Sequence, residues 1–536
     1  MLVPRIASHR LRSIPQRKPQ LPWHPPRRTW SSTAPVASPQ SYQHTPALAN
    51  LVSELDQIAP RIDIRADQIE VLPGPVEFYE TLKKNISKAK KRIFLATLYI
   101  GRAETELIST IREALLSNGP DLRVSILTDA LRGTRESPDA SCASLLASLA
   151  TEFPDQVEIR MYHTPNLTGL RKRFVPKRIN EGWGLQHIKL YGTDDEIILS
   201  GANLSSDYFT RRQDRYHVFS SKRVTDYFAR IHHTICSVSF LLQPDPNPSA
   251  YTLSWPITNS ANSPITSPSA YIRATTSLLA PLITAAPTPK HPTTDTSLYP
   301  IFCHPATLNT ELPALRTLLR TTTLRSYTFT AGYFNPHPSI TASLLAARAP
   351  GTVLTASPFA NGFYNSPGIS GLLPAAYSHL SLRFLQAVRK AKGNIRLREW
   401  RRGTVGEKDG WTYHAKGLWI TLLQAPRMHQ SSHFKPGATA PPRVPSVEAM
   451  SGEAGPSAMV IGSSNYTNRS YGLDLEVGAL VVTSDEGLRR QWKIEEEALA
   501  EQSREVGEEE LKSPQRRVGW RVRAAMWIVK LVGGSL

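Results

Sequence analysis

An α/β fold written as two similar halves is what this 536-residue sequence predicts, and three observations carry that reading. Apolar runs of strand length alternate with amphipathic helical runs, the pattern of sheets whose faces are covered by helices. A compound motif, H-x-K-x4-D-x6-G-x-N, runs from His187 to Asn203. Most of it is written again as His414-Ala415-Lys416 and Gly462-Ser463-Ser464-Asn465, and the strands around the first copy recur in order around the second. Two half-sites of one composition predict a single active site at a pseudo-two-fold interface.

The elements follow in order. Residues 1–45 are rich in Arg, Ser and Pro and contain no acid, the composition of an organellar transit peptide, and Arg28-Thr29-Trp30-Ser31 resembles a matrix-protease site. Residues 46–243 form the expected first domain. Pro75 to Lys91 reads as a helix, Ile93 to Ile100 as a strand and Glu104 to Leu116 as an amphipathic helix. Arg123–Asp129 and Val157–Tyr162 are the next strands, so a mostly parallel sheet is expected. His187 and Lys189 are two apart, which on a strand turns both side chains to one face. Glu196 to Ser200 follows, and the turn Gly201-Ala202-Asn203 is expected to return Asn203 beside His187.

Residues 244–298 are dominated by Pro, Ser, Thr and Ala and read as an interdomain linker in which patches such as Leu278-Leu279-Ala280 can still pack. The second domain, 299–510, replays the first. Its strands are Thr328–Phe334, Thr352–Ser357 and Ile395–Arg398, displaced from their counterparts by 227 to 238 positions, and His414 lies 227 after His187. A Pro/Gly/Ser-rich surface insert at 424–457 accounts for the longer interval from Asn203 to Asn465. Residues 511–536 combine Arg516, Arg517, Arg521, Arg523 and Lys530 with Trp520, Met526 and Trp527. This basic, Trp-bearing segment suits an anionic bilayer interface, or else docks as a final helix.

The formal net charge is +19. Seven Lys/Arg and no acid fall within 1–53, so the remainder still carries +12 and favours an anionic partner: nucleic acid, acidic lipid or a phosphorylated small molecule. Cys142, Cys236 and Cys303 are too few and too scattered for a disulfide framework or a Cys-based zinc site. No apolar run approaches the length of a membrane span, so the protein reads as soluble or membrane-peripheral.

Substitution at a phosphodiester or pyrophosphate phosphorus suits the motif residues. A neutral imidazole attacks phosphorus and is displaced later, and a second, protonated imidazole gives its proton to the leaving oxygen. Lys189, Lys416, Asn203 and Asn465 supply cations and donors for the phosphoryl oxygens. Nothing in the sequence resembles a dedicated magnesium or zinc cage, and no cofactor is implied.

With these motifs the sequence resembles the phospholipase D superfamily. Within it the chain is most similar to the mitochondrial phosphatidylglycerophosphate synthases, through Leu127 to Arg135, Gln186-His187-Ile188-Lys189, Asn203 to Phe209, Tyr413 to Trp419, and Gly462 to Tyr466 running on to Asp474-Leu475-Glu476. The resemblance covers roughly residues 60–500 and implies two phospholipase D-like α/β/α domains with one site between them. It implies transfer of a phosphatidyl group from CDP-diacylglycerol to sn-glycerol 3-phosphate with release of CMP, a committed step toward phosphatidylglycerol and cardiolipin. His187 would be the nucleophile and His414 the acid and base, with Lys189, Lys416 and Asp194 in the catalytic set. Asn203, Asn465 and Ser463 would support the phosphate, and Asp129, Arg132, Gly133 and Arg135 form a candidate substrate loop. The second motif carries Thr421 where the family pattern has Asp. Asp214 and Glu476 each lie 11 residues after their Asn and are candidates to hydrogen-bond the histidines and fix their tautomers. The implied location is the matrix face of the mitochondrial inner membrane, peripherally bound, with no nucleic-acid partner. Two other readings remain: a mitochondrial phosphodiesterase or nuclease of the same fold, and a catalytically dead lipid-binding scaffold.

Overall fold

The computed structural model describes residues 45–137, 139–177, 180–245, 251–285, 294–304, 307–423 and 455–514, with 516, 518–520, 522–523 and 526. The transit-peptide reading for residues 1–44, the insert as far as residue 454 and most of the C-terminal amphipathic segment lie outside the described residues.

Six strands carry each half. In the first they are β1 (Arg92–Ala96), β2 (Arg123–Asp129), β3 (Val157–Tyr162), β4 (Leu190–Thr193), β5 (Glu196–Ser200) and β6 (Tyr216–Phe219). In the second they are β7 (Leu324–Ala331), β8 (Gly351–Ala356), β9 (Ile395–Trp400), β10 (Lys416–Leu422), β11 (Ala458–Gly462) and β12 (Glu476–Thr483). The spatial order is β3-β2-β1-β4-β5-β6 in one sheet and β9-β8-β7-β10-β11-β12 in the other, so the repeat in sequence is a repeat in topology. Both sheets lie in one compact unit, Ser41–Leu536.

The expectation of a mostly parallel sheet is corrected. Only the first three strands of each set pair in parallel, and the motif-bearing strands pair antiparallel. The reason is local. β4 and β5 are joined by Asp194-Asp195 alone, with Asp194 at φ 45°. A two-residue hairpin fixes antiparallel pairing, whereas parallel strands need a long crossover. Apolar run length reports a strand but not its direction.

Side-chain alternation builds the layers. Ile93 and Leu95 of β1 face a cluster with Phe78, Leu82 and Ile86 of α1 (Pro75–Lys88) and Leu107, Ile108 and Ile111 of α2 (Thr105–Ser117). Phe94 and Ala96 face the other way, onto Val224, Phe228 and Ile231 of α3 (Lys222–Cys236). That inner cluster continues into the second half through Trp419, Met459, Val481 and Trp492.

Two boundaries differ from the sequence reading. Ile62–Ile64 pairs with Thr296–His304 and forms an edge strand of the second sheet, and the helix Pro46–Leu55 buries Leu48, Leu51, Val52 and Leu55 against Tyr299, Leu315 and Leu318. Residues 46–64 therefore pack with the second half, because its apolar surface is the one that takes their apolar face. The Pro/Ser/Thr-rich stretch holds a strand, Tyr251–Ser254, and α4 (Pro268–Ile283), which buries Tyr271, Leu279 and Ile283. The Tyr227 hydroxyl of α3 donates to the Leu282 carbonyl at 2.7 Å. After the second domain, Arg516 is held by Glu399 at 2.5 and 2.9 Å, while Trp520 is largely exposed.

Arg215 fastens the halves. It is fully buried, binds both Glu495 oxygens of α5 (Glu486–Glu501) at 2.8 and 2.9 Å, donates to the Val460 carbonyl at 2.6 Å and lies 3.9 Å over the Trp419 ring. Burial pushes the Glu495 carboxyl up, but Arg215 and His217 prevail and hold it at about 2. Removing one member of such a buried pair strands the other. Arg215→Ala is expected to cost about 3–5 kcal/mol in urea unfolding, and Arg215→Ala with Glu495→Leu to recover part of that; equal losses in both variants would contradict the pairing.

Candidate active site

Each histidine lies on extended chain leading into a motif strand, His187 before β4 and His414 before β10. The backbone N–H of His187 donates to Leu475 O at 2.9 Å, and that of His414 donates to Gln213 O at 2.8 Å. The acceptors are the residues just before Glu476 and Asp214. Each histidine is thus laid against the segment that carries the other half's carboxylate.

The side chains complete the crossing. His187 Nδ1 lies 3.0 and 3.1 Å from the Glu476 oxygens, and His414 Nδ1 lies 2.6 Å from Asp214. An ionised carboxylate can only accept, so opposite it Nδ1 carries the proton and Nε2 is left with a lone pair. Glu476 also accepts the Ser463 hydroxyl at 2.5 Å, and Asp214 accepts the Arg215 N–H at 2.9 Å. Lys189 Nζ donates to its own histidine's carbonyl, His187 O, at 2.6 Å, and Lys416 Nζ donates likewise to His414 O at 2.7 Å. Lys416 Nζ is also 2.7 Å from His414 Nδ1, a position already committed to Asp214. The glycine of the first G-x-N turn makes room for this set. A Cβ on Gly201 would stand 2.7 Å from Asp214 Oδ1 and 3.0 Å from Lys416 Nζ.

Burial governs the charge states. His187, Lys189, Asp214, His414, Lys416 and Glu476 are all buried. Desolvation, reinforced by the neighbouring lysines, drives both imidazoles well below the usual histidine range. It lowers Lys189 to about 7 and Lys416 to about 8 despite the attraction of the carboxylates. Glu476 is raised to about 7 by burial, against the pull of Lys189. Asp214 goes the other way, because Lys416 and the His414 hydrogen bond outweigh its burial. Lys189 feels Glu476, Lys416 and Asp214, so the two half-sites form one electrostatic unit.

Asn203 donates to the Tyr208 hydroxyl at 3.1 Å, and that hydroxyl lies 3.4 Å from His414 Nε2. The hydrogen-bonded link from Asn203 thus runs, through Tyr208, to the histidine of the other half. The Oδ1 atoms of Asn203 and Asn465 are both buried without a partner, so each half keeps an amide with capacity for one more contact. Asp194 stands apart from the histidines, past the far end of β4, accepting from the backbone N–H groups of Lys90, Lys91 and Arg92 at 2.8–3.0 Å. Its place is the β4–β5 turn, which explains how the second half functions structurally with Thr421, an interior residue of β10.

The candidate substrate loop divides. Asp129 is buried, caps Leu131 and Arg132, and accepts the Gln186 N–H at 2.9 Å. It thereby positions the residue before His187. Gly133 is packed so that a Cβ would lie 2.5 Å from the Met161 methyl. Arg135 is paired with Glu181. Arg132 lies 4.3 Å over the Tyr99 ring and lines, with Arg102 and Glu136, a cavity of about 330 Å³.

Sequence reasoning assigned no role to Tyr208, Arg212, Tyr333 or Asp474. Asp474 accepts the Leu185 N–H at 2.9 Å and pairs with Arg469, fixing the chain into His187. Tyr208 and Tyr333 meet the His414 ring edge-on, with centroids 5.2 and 5.5 Å away. The repeat itself held a signal for one of them, since Tyr99 and Tyr333 occupy matching places after β1 and β7. Among the described residues no group of three His, Cys, Asp or Glu side chains is placed to hold a metal ion.

The chain is 42% identical over 482 residues to the CDP-diacylglycerol–glycerol-3-phosphate 3-phosphatidyltransferase of Saccharomyces cerevisiae, covering 87% of this chain and 88% of that one. It is 39% identical to the Schizosaccharomyces pombe protein of that name, covering 85% and 93%. With the human protein, whose name adds "mitochondrial", identity is 32% and coverage 94% and 91%. No family model matches the chain. Among solved structures, the phosphatidylserine synthase of Haemophilus influenzae Rd KW20 superposes with a TM-score of 0.67 at 20% identity, covering 91% of this chain and 97% of that one. At that identity the likeness bears on fold, and it agrees with the paired α/β architecture expected from the motifs.

The crossed pairing fixes protonation. With ¹⁵N-labelled histidine at pH 8, above the range in which Glu476 holds a proton, His187 and His414 are expected to be neutral, each with hydrogen on Nδ1. Asp214→Asn is expected to disturb the His414 tautomer only. Doubly protonated rings at that pH would contradict the arrangement.

Proposed function

The chain belongs to the CDP-diacylglycerol–glycerol-3-phosphate 3-phosphatidyltransferase family, and we propose that it makes phosphatidylglycerophosphate from CDP-diacylglycerol and sn-glycerol 3-phosphate by two displacements on histidine. The observation that carries the two-histidine route is the crossed pairing, which leaves two lone-pair Nε2 atoms in one buried, cationic site.

In the first step His187 Nε2 attacks the diacylglycerol-bearing phosphorus. The P–O bond to CMP breaks as His414 Nε2 gives its proton to the departing oxygen, leaving a phosphatidyl-histidine. In the second, His414 takes the proton of the 1-hydroxyl of glycerol 3-phosphate. That oxygen attacks phosphorus, the P–N bond breaks and His187 is regenerated. A depressed pKa keeps His187 neutral and nucleophilic. His414 needs a proton for the first step, and the anionic pyrophosphate arriving beside it opposes the depression that burial imposes. Lys189 and Lys416 neutralise the phosphoryl oxygens. The second amide N–H of Asn203, beside the one that Tyr208 takes, and the amide N–H groups of Asn465 are the side-chain donors assigned to the same oxygens. Glu476 and Asp214 orient the two rings and stabilise their charged forms, the task of a carboxylate in a triad.

The product stands on the route to phosphatidylglycerol and cardiolipin, and the mitochondrial designation of the human and mouse relatives supports work in the mitochondrion. The lipid substrate calls for a membrane surface. No helix among the described residues is long and apolar enough to cross one. Peripheral attachment to an anionic leaflet at the matrix face fits the charge outside the N-terminal leader and the Trp-bearing basic C-terminus.

Purified residues 46–536 given CDP-diacylglycerol and labelled glycerol 3-phosphate, with EDTA present, are expected to form labelled phosphatidylglycerophosphate. Product from single-stranded DNA or cardiolipin instead would overturn the assignment. His187→Ala and His414→Ala are each expected to lower transfer by about a thousandfold or more; activity surviving either change refutes the two-histidine route. The lysines carry charge below their pKa values and lose it above. The kcat/KM for CDP-diacylglycerol is therefore expected to fall as pH rises through the region of about 7 to about 8, and Lys189→Arg to carry that limb upward.

A further inference from the structure

The two sides of the site are not alike. The His187 side is closed by paired groups: Arg469 with Asp474 at 2.9 Å and Ser463 with Glu476 at 2.5 Å. On the His414 side stands Arg212, whose side chain is only 14% exposed. Arg132, Arg135, Arg215 and Arg469 each have a carboxylate at 3.3 Å or closer. For Arg212 the carboxylate within reach among the described residues is Asp207, at 3.6 Å and three-quarters exposed. Its Nε is buried and makes no hydrogen bond. Its Nη1 donates to the Tyr208 hydroxyl at 3.1 Å, and the guanidinium lies 4.4 Å over that ring.

Tyr333 closes the cradle. A Cβ on Gly362 would stand 2.9 Å from the Tyr333 hydroxyl and 3.4 Å from an Arg212 terminal nitrogen, so the glycine leaves open the space over both groups. The Tyr208 oxygen links Arg212 Nη1, at 3.1 Å, to His414 Nε2, at 3.4 Å, which places guanidinium and imidazole nitrogens within 6.5 Å of each other.

Resting on the transferase reading, we propose that Arg212, Tyr208 and Tyr333 form the subsite for the acceptor's phosphomonoester. The reacting phosphorus already has two lysines and two asparagines. The acceptor brings a second phosphate, a dianion that needs its own fixed cation. A guanidinium fork flanked by hydroxyl donors is the fitting chemistry. A three-carbon polyol phosphate spans the interval from Arg212 to His414, so that seating the phosphate delivers the far hydroxyl to the base. Leaving group and acceptor must use the same face in a double displacement, so the nucleotide's phosphate is a second claimant for the same cation.

The test compares acceptors. Wild-type and Arg212→Gln enzyme are assayed with glycerol 3-phosphate and with glycerol, a neutral acceptor that makes no use of the subsite. The variant's KM for glycerol 3-phosphate is expected to rise about 10- to 100-fold, and its preference for glycerol 3-phosphate over glycerol to fall by the same factor. Arg212→Lys should restore part of the preference. Gly362→Ala, which crowds the cradle without touching a charge, should also raise the KM for glycerol 3-phosphate. Exchange of labelled CMP into CDP-diacylglycerol then assigns the range of the subsite. A parallel rise in the KM for CMP gives Arg212 both phosphomonoesters in turn, and no rise gives it the acceptor alone. An unchanged KM for glycerol 3-phosphate overturns the proposal, as does an equal fall in transfer to both acceptors, which would make Arg212 a support for Tyr208 and His414. A wild-type enzyme that transfers to neither acceptor overturns the activity itself, and the subsite with it.

Discussion

The rest of the structure depends on a carboxylate from each half holding the imidazole of the other. The Glu476–His187 and Asp214–His414 contacts are side-chain bonds, but their geometry is set by backbone. His187 N–H to Leu475 O and His414 N–H to Gln213 O bring the two segments together one residue away from each pair. Neither half could build this site alone. A histidine without its partner's carboxylate would keep neither tautomer nor orientation, and a carboxylate without its histidine would be a stranded buried charge. Catalytic competence and the docking of the halves are therefore one constraint, which the Arg215–Glu495 clamp reinforces from the same chain segment as Asp214.

Burying two lysines, two carboxylates and two imidazoles is costly, and the molecule offsets the cost by mutual neutralisation more than by solvent. The result is a set of groups poised for use. The lysines are lowered to about 7 and about 8, and Glu476 is raised to about 7. On the proposed route, an anionic substrate entering such a cluster restores the lysine charge. The halves are alike in backbone and motif yet differ in the shell around them. Ion-paired residues surround His187, while tyrosines and a weakly paired arginine surround His414. That difference suits a reaction whose two histidines have different tasks, one forming a bond to phosphorus and the other exchanging protons with whichever oxygen stands opposite.

Much of this was legible in the sequence, for identifiable reasons. The repeat could be read because strand order and motif spacing recur at nearly constant offset, and the 11-residue interval from Asn203 to Asp214 and from Asn465 to Glu476 pointed to the carboxylates. What could not be read was the crossing, since spacing within a half says nothing of which half a side chain reaches. Strand direction was misjudged because an apolar run has none, and only the tight Asp194-Asp195 connection carried the information. Asp194 and Asp129 sit in motif stretches yet serve backbone amides, because short carboxylates at turns and helix starts find N–H groups close by. Arg212 went unnoticed because its significance lies in what it lacks, a close carboxylate, and an absent partner leaves no trace in one dimension.

On the proposed route one histidine carries the phosphatidyl group while the other moves protons. Mixing the enzyme with CDP-diacylglycerol labelled in the diacylglycerol-bearing phosphate, without acceptor, quenching in alkali and mapping the label by mass spectrometry tests it directly. The two-step route predicts an acid-labile, alkali-stable adduct on His187 that disappears when glycerol 3-phosphate or CMP is added before the quench. Label on His414 would reverse the assignment of the two rings. Transfer without any adduct, and with inversion at a chiral phosphorus, would contradict the covalent route altogether.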